Sequence, residues 1–332
     1  MKYTIYLSSL ILLVFAGCKT DDEFDGPALN DLYGQFAIVQ GLSATNYDVD
    51  FSTGEQTTFE SSFSKNIDWV LEIKGLQSGA VKRIEGFSNL LNVDNATWNG
   101  TTTDLPMFKQ ESCAVQLTFL SETDTLRDTL DVVGARINEG FVVSDFETGT
   151  NPGWNSFVQT GANMSFAVQS TIPAAQGNNY FNIGGTVNWD WLIGLINMPA
   201  SAYGGTHYPL SENPELENFN VMIYKPEELS NGIMLFQFME DDNLDGVFTT
   251  NVEDMFSLEV QMDKNGWGQY SINYADLQTL INGAPSADIG NGIREPHKLL
   301  QISVLFLANP ASGYANAYLD YMIFTQNGIL EP

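Results

Sequence analysis

Four consecutive residues, Asn188, Trp189, Asp190 and Trp191, put two indoles beside an amide and a carboxylate. On an extended backbone Trp189 and Trp191 point to one side, and Asn188 and Asp190 to the other. Coplanar indoles at that spacing make a platform about 7 Å long. Such a plane stacks on the apolar face of a sugar ring, while amides and carboxylates take its hydroxyls. A pair of core indoles beneath a loop satisfies the same four letters. Downstream, ASAYGGTHY (Ala200 to Tyr208) is a Gly-rich connection carrying Tyr203, His207 and Tyr208. Aromatic residues on a polar loop favour a binding edge. Trp154, which follows Asn151-Pro152-Gly153, is a further loop aromatic for the same groove.

A second chemistry is suggested by Asp241, Asn243, Asp245 and Gly246, which match the D-x-N-x-D-G opening of a calcium loop. Oxygen ligands at alternate positions followed by a turn glycine suit a hard cation. The twelfth position is Val252 where a bidentate Glu belongs, so either Glu253 or Asp254 substitutes or the stretch is an acidic hairpin loop without metal. Catalytic signatures are missing. The two histidines, His207 and His297, are too few for a histidine zinc site, and no H-E-x-x-H or G-x-S-x-G occurs. A carboxylate pair at glycosidase spacing remains open among 41 acidic residues. The reading is of a binding protein that is not an enzyme.

The elements that must position these residues are strands. Ile67, Trp69, Leu71 and Ile73 alternate with polar neighbours, and Cys113, Val115, Leu117 and Phe119 repeat the pattern, which makes Cys113 a buried core thiol. Gln35 to Gln40, Thr57 to Phe63, Ala80 to Glu85 and Thr125 to Val133 are further strand candidates between turn-rich clusters. Together they predict a small sandwich over residues 31–136. Gly134 to Gly140 is a short connection, after which strands lengthen. Phe256, Leu258, Val260 and Met262 alternate, whereas Phe219 to Lys225, Ile233 to Met239, Leu299 to Ala308 and Ala317 to Phe324 are apolar on both faces. These mark inner strands of a larger two-sheet jelly roll over residues 141–328, with Tyr274 to Ile281 as its one short helix and Trp267 in core packing. The fold class is all-β.

Charge narrows the partners. Thirteen basic against 41 acidic residues give a formal charge of -28, which repels nucleic acid and anionic lipid but not a neutral polymer. At the start, Lys2, an apolar run from Ile5 to Val14, and Ala16-Gly17 before Cys18 have the layout of a secretory signal, too short to span a bilayer.

Phe15-Ala16-Gly17-Cys18 resembles the lipobox of bacterial lipoproteins, with Phe in place of the usual Leu. The resemblance implies a signal peptide over residues 1–17 and a lipidated Cys18 that attaches the chain to a membrane without spanning it. An acidic tether follows over residues 18–30, and Lys19-Thr20-Asp21-Asp22-Glu23 looks like the tag that sends lipoproteins of Bacteroidetes to the outer face of the outer membrane. The first sandwich, with its inner tryptophan, Trp98-Asn99-Gly100 turn and CAVQLTFL strand, resembles PKD or Ig-like spacer modules. Val143-Ser144-Asp145-Phe146-Glu147, Trp267 to Ile272 and Ala317 to Phe324 look like the opening, late-middle and closing strands of galactose-binding-like jelly rolls, the fold of many carbohydrate-binding modules. The whole chain is similar to surface glycan-binding lipoproteins encoded beside SusC/SusD-type uptake systems. That likeness implies a polysaccharide ligand, here a neutral glycan such as the β-glucan laminarin, and as partners a SusC/SusD transporter and surface glycoside hydrolases. It also implies a structural calcium at Glu147 and Asp320. Asp320 is expected to share a strand face with Tyr318, Met322 and Phe324, where a carboxylate must be paired or metal-bound. A jelly-roll hydrolase or lyase, and a structural or adhesin lipoprotein, are the competing readings.

Overall fold

The computed structural model describes residues 34–187, 192–227, 232–308 and 313–332. Seven strands come first: β1 (Ile38–Ala44), β2 (Asp48–Asp50), β3 (Thr57–Gly75), β4 (Val81–Leu91), β5 (Thr97–Trp98), β6 (Glu111–Phe119) and β7 (Thr125–Gly134). They form one sheet in the order β1-β3-β6-β7-β2, with β4 and β5 also on β3. The expected separate strands at Thr57 to Phe63 and Ile67 to Ile73 are one. The first half of β3 pairs with β1 and its second half with β6, so the sheet curls over its own core. Its odd-numbered residues Phe59, Phe63, Trp69, Leu71 and Ile73 all face that core. Gly86 on β4 is required by this packing, because a Cβ there would lie 2.4 Å from the Trp69 ring. Cys113 is buried as expected, and burial pushes its thiol up to about 12, which leaves it unreactive.

The second unit contains β8 (Phe141–Ser144), β9 (Asn155–Val158), β10 (Asn163–Gln169), β11 (Tyr180–Val187), β12 (Leu192–Pro199), β13 (Glu217–Lys225), β14 (Gly232–Glu240), β15 (Met255–Gln261), β16 (Gly266–Asn273), β17 (Leu280–Ile281), β18 (Ala284–Pro285), β19 (Leu299–Ala308) and β20 (Gly313–Gln326). A six-stranded sheet, β10-β11-β20-β13-β16 with β8 on β20, faces a five-stranded sheet, β15-β14-β19-β12-β9. Phe181, Phe219, Val221 and Leu319 of the first meet Met198, Phe236, Phe238 and Val304 of the second in one buried cluster. Each such side chain contributes about 1.5–3 kcal/mol on burial. The expected helix over Tyr274 to Ile281 does not form. Tyr274–Asp276 makes a single 3-10 turn, capped by Asn273, and the chain then runs extended into the β17–β18 hairpin.

Strand β20 changes faces midway. Ala315, Ala317 and Leu319 point into the sandwich, then Met322 and Phe324 do, because a register shift and a positive φ of 37° at Tyr321 insert one residue. Asp320 therefore does not share a face with Met322 and Phe324. The outer face of this sheet carries an aromatic group: Tyr224 stacks on Tyr318 at 5.1 Å, and Trp267 meets Tyr180 and Tyr224 edge-on at 5.9 and 5.3 Å. Trp267 donates its Nε1 to Pro173 O in the loop that crosses over this face. The first unit docks on the same side. Met107 packs with Ala175, Met222, Tyr321 and Leu330, and its N–H donates to Ala175 O at 2.7 Å, while Lys109 Nζ reaches Asn178 Oδ1 at 3.0 Å.

Candidate functional site

The outer face of the five-stranded sheet is left open, and its register sorts the side chains into rows. One row runs Phe157, Leu195, Leu305, Leu235, Glu259 across five strands, and beside it Leu192, Leu307, Ile233 and Gln261 form another. The next is polar: Asn155, Asn197, Ser303, Gln237 and Ser257. Hydrogen bonds bind part of that row together, Ser303 Oγ donating to Asn197 Oδ1 at 2.6 Å and Asn197 Nδ2 to Asn155 Oδ1 at 2.9 Å. Ser257 Oγ is buried and has no partner. Beyond the polar row come Pro199, Gln301, Met239 and Met255. Alternation along each strand turns these residues away from the core, which their neighbours Met234, Phe236, Ile302 and Val304 fill, and Ser257 and Ser303 are covered even on this side.

Two hollows sit on this floor. The near one, about 640 Å³, lies over Leu192, Ile233, Leu235, Leu305 and Leu307, with Gln237, Glu259 and Gln261 along one side. Its wall is the β17–β18 hairpin, whose two-residue Asn282-Gly283 turn has both φ values positive, at 52° and 75°, as such a tight turn requires. The far hollow, about 860 Å³, lies over Pro199, Met239 and Gln301 between the loop at residues 201–206 and the loop at residues 246–250. Among the described residues lining either hollow, Glu259 is the one ionisable group.

The residues singled out from the sequence fall in different places. Asn188, Trp189, Asp190 and Trp191 lie outside the described residues, as does Cys18 with its tether. Tyr208 is not a groove residue. It is 2% exposed, donates its hydroxyl to Met198 O, and burial holds that hydroxyl's pKa well up. Tyr203 and Trp154 pack on the same core. Trp154 Nε1 donates to the Tyr203 hydroxyl at 3.2 Å, which donates to Val143 O at 2.9 Å, so both turn their polar ends inward and line neither hollow. Burial pushes the Tyr203 hydroxyl up to about 12. His207 ties two loops together, its Nε2 lying 2.9 Å from Asp241 Oδ2.

The D-x-N-x-D-G loop spends its oxygens on its own backbone. Asp241 accepts the N–H groups of Asp245 and Gly246, Asn243 Oδ1 that of Asp245, and Asp245 that of Val247. The Asp241 carboxyl, though desolvated, is held below its usual range by His207 and these N–H groups. Nearby, Glu240, Asp242 and Glu295 bring carboxylate oxygens within 4.8 Å of one another, a grouping the sequence did not reveal. Glu240 is wholly buried against the Tyr274 hydroxyl, and burial pushes its carboxyl up to about 8. Glu147 and Asp320 are brought to one corner by the loop at residues 174–179. Glu147 Oε1 accepts Asn178 and Asn179 N–H at 2.8 and 2.7 Å, and Asp320 Oδ2 accepts Gln176 N–H at 2.8 Å. Desolvation raises the Asp320 carboxyl well above its usual value, and Gln176 Oε1 in that loop is buried without a partner.

No family model matches the chain, and no curated protein matches it. Among solved structures it is similar to the family 11 carbohydrate-binding module from Clostridium thermocellum in complex with a β-1,3-1,4-mixed-linked tetrasaccharide, at 17% identity and TM-score 0.39 over 57% of this chain and 96% of that one. It is similar to the CBM22-1 xylan-binding domain from Paenibacillus barcinonensis Xyn10C, at 13% identity and TM-score 0.33 over 58% of this chain and 99% of that one. It is also similar to SGBP-B from a complex xyloglucan utilization locus in Bacteroides uniformis, at 10% identity and TM-score 0.35 over 88% of this chain and 73% of that one. All three TM-scores lie under 0.5.

Proposed function

We propose that this is a non-catalytic, cell-surface lipoprotein that captures a neutral polysaccharide on the open floor of its five-stranded sheet. The observation that carries the reading is the floor's chemistry, the amides of Gln237, Gln261 and Gln301 set among aliphatic side chains, with no Lys or Arg among the described lining residues. A sugar chain needs hydroxyl partners alongside apolar surface, and this floor offers both. A polyanion would find no cation there and would meet a chain of formal charge -28. Glycoside hydrolysis takes two carboxyl groups at the bond, and Glu259 stands without a second among the described lining residues. The reading also takes Trp189 and Trp191 as sugar-stacking residues, from their types and spacing. The same reading takes Cys18 as the anchor, the first unit as a spacer, a SusC/SusD-type transporter as the receiver and a β-glucan such as laminarin as the cargo. It also gives calcium a structural place at Glu147 and Asp320, a buried oxygen corner of the kind a hard cation fits.

The test is affinity electrophoresis through gels containing neutral and anionic polysaccharides, with Trp189→Ala, Trp191→Ala and Gln237→Ala run beside the parent protein. Retardation by a neutral glycan, lost in variants whose thermal melts are intact, is the expected result. Retardation by a polyuronate alone, or by nothing, overturns the reading.

A further inference from the structure

The far hollow lies on the line of the near one. Gln237 borders the near hollow and Met239 the far one, two residues apart on the same face of β14, and on β19 the floor runs without interruption from Leu307 to Gln301. Six residues of strand cover about 20 Å. The far hollow is also a built one. The loop at residues 246–250 presents Val247, 62% exposed, and the half-buried Phe248 toward it, two apolar side chains side by side on one wall. Across from them stand Gly204 and Gly205, whose missing side chains let a ligand approach the backbone. His207 to Asp241 joins the loops that frame the two sides, and Asp241 in turn holds Gly246 in place through its N–H.

We propose that the far hollow is a second set of sugar subsites, so that the floor grips one extended, uncharged segment spanning both hollows, with Val247 and Phe248 packing on its apolar face and His207 as the positioning residue for their loop. This rests on the glycan reading of the floor and adds a length requirement. A ligand that fills the near hollow alone leaves Val247 and Phe248 untouched; a longer one reaches them.

Isothermal titration of the protein with β-1,3- and β-1,4-linked gluco-oligosaccharides, from trisaccharide to octasaccharide, tests it. Affinity should climb with length and then level off. Val247→Ala, at an exposed site that will not impair folding, and Phe248→Ala should each weaken the octasaccharide about tenfold and leave the trisaccharide unchanged. His207→Ala should repeat that split between lengths at an unchanged trisaccharide affinity, which a general loss of stability would not do. Length-independent affinity, or variants that weaken short and long ligands alike, overturns the second set of subsites and spares the floor. Absence of binding at every length overturns both.

Discussion

The two outer faces of the larger sandwich use their side chains in opposite ways. On the six-stranded sheet Tyr180, Tyr224, Trp267 and Tyr318 pack against one another beneath the loop that holds Pro173, with the first unit docked alongside. On the five-stranded sheet the outward residues are mostly aliphatic or polar, with Phe157 on its edge strand, and the face stays open. Aromatic side chains are thus the structural cement of one face, while the face available to a ligand is the plainer one. Of the rings taken from the sequence as groove residues, Trp154, Tyr203 and Tyr208 are all engaged internally, as is Trp267, which the sequence placed in packing.

This contrast can be broken at several points. The largest effect is expected for Trp267→Ala, which removes a hydrogen bond and the ring between Tyr180 and Tyr224. It should cost about 3 kcal/mol in chemical denaturation while the folded fraction keeps its glycan affinity. Lost affinity at intact stability would return that ring to the ligand. Next comes the cation at the covered face. If calcium sits at Glu147 and Asp320, a hundredfold excess over Kd raises stability by about 2.7 kcal/mol, and Asp320→Asn abolishes the gain; a melt indifferent to calcium and EDTA argues against the site.

A pH effect of a different kind is expected at the end of β14. Glu240 has a folded-state pKa raised by burial from 4.5 to about 8, so the folded form favours the proton. Its contribution is complete below pH 4.5 and is lost as pH rises toward about 8. In EDTA, the melting temperature should fall across that window, and Glu240→Gln should flatten the slope; an unchanged slope in the variant would assign it to another group. The smallest effect concerns the open face itself. Gln237→Ala should leave stability within about 0.5 kcal/mol and weaken polysaccharide binding by about 1.4 kcal/mol, or tenfold. A variant with parental affinity would remove the polar row from the site.

The architecture was legible where one side of a strand is wet. Alternation in Cys113 to Phe119 and Phe256 to Met262 placed those faces correctly, and the all-β class followed. The floor was not legible, for a reason that lies in its composition. Ile233 to Met239 and Leu299 to Ala308 are apolar on both faces, so alternation gives no hint of which residues face out. Only the pairing register, which aligns Gln237 with Ser303 and Asn197, assembles a polar row from single letters on three strands far apart in the sequence. Asp320 was misread because one inserted residue reverses a period of two, and nothing in AYLDYMIF announces it. The helix expected at Tyr274 to Ile281 gave way because Leu280 and Ile281 pair with Ala284 and Pro285 to build the trough wall.

The central position of β20 in the six-stranded sheet bears on how the chain must be made. That strand pairs with β11 and β13 and receives β8, yet it is the last of the twenty described to leave the ribosome. Until it arrives, β11 and β13 each lack the neighbour between them, and the buried cluster to which Ala317, Leu319 and Phe324 belong stays unsealed. The larger unit therefore cannot close before β20 has been made. Such a delay carries an aggregation hazard in any crowded compartment.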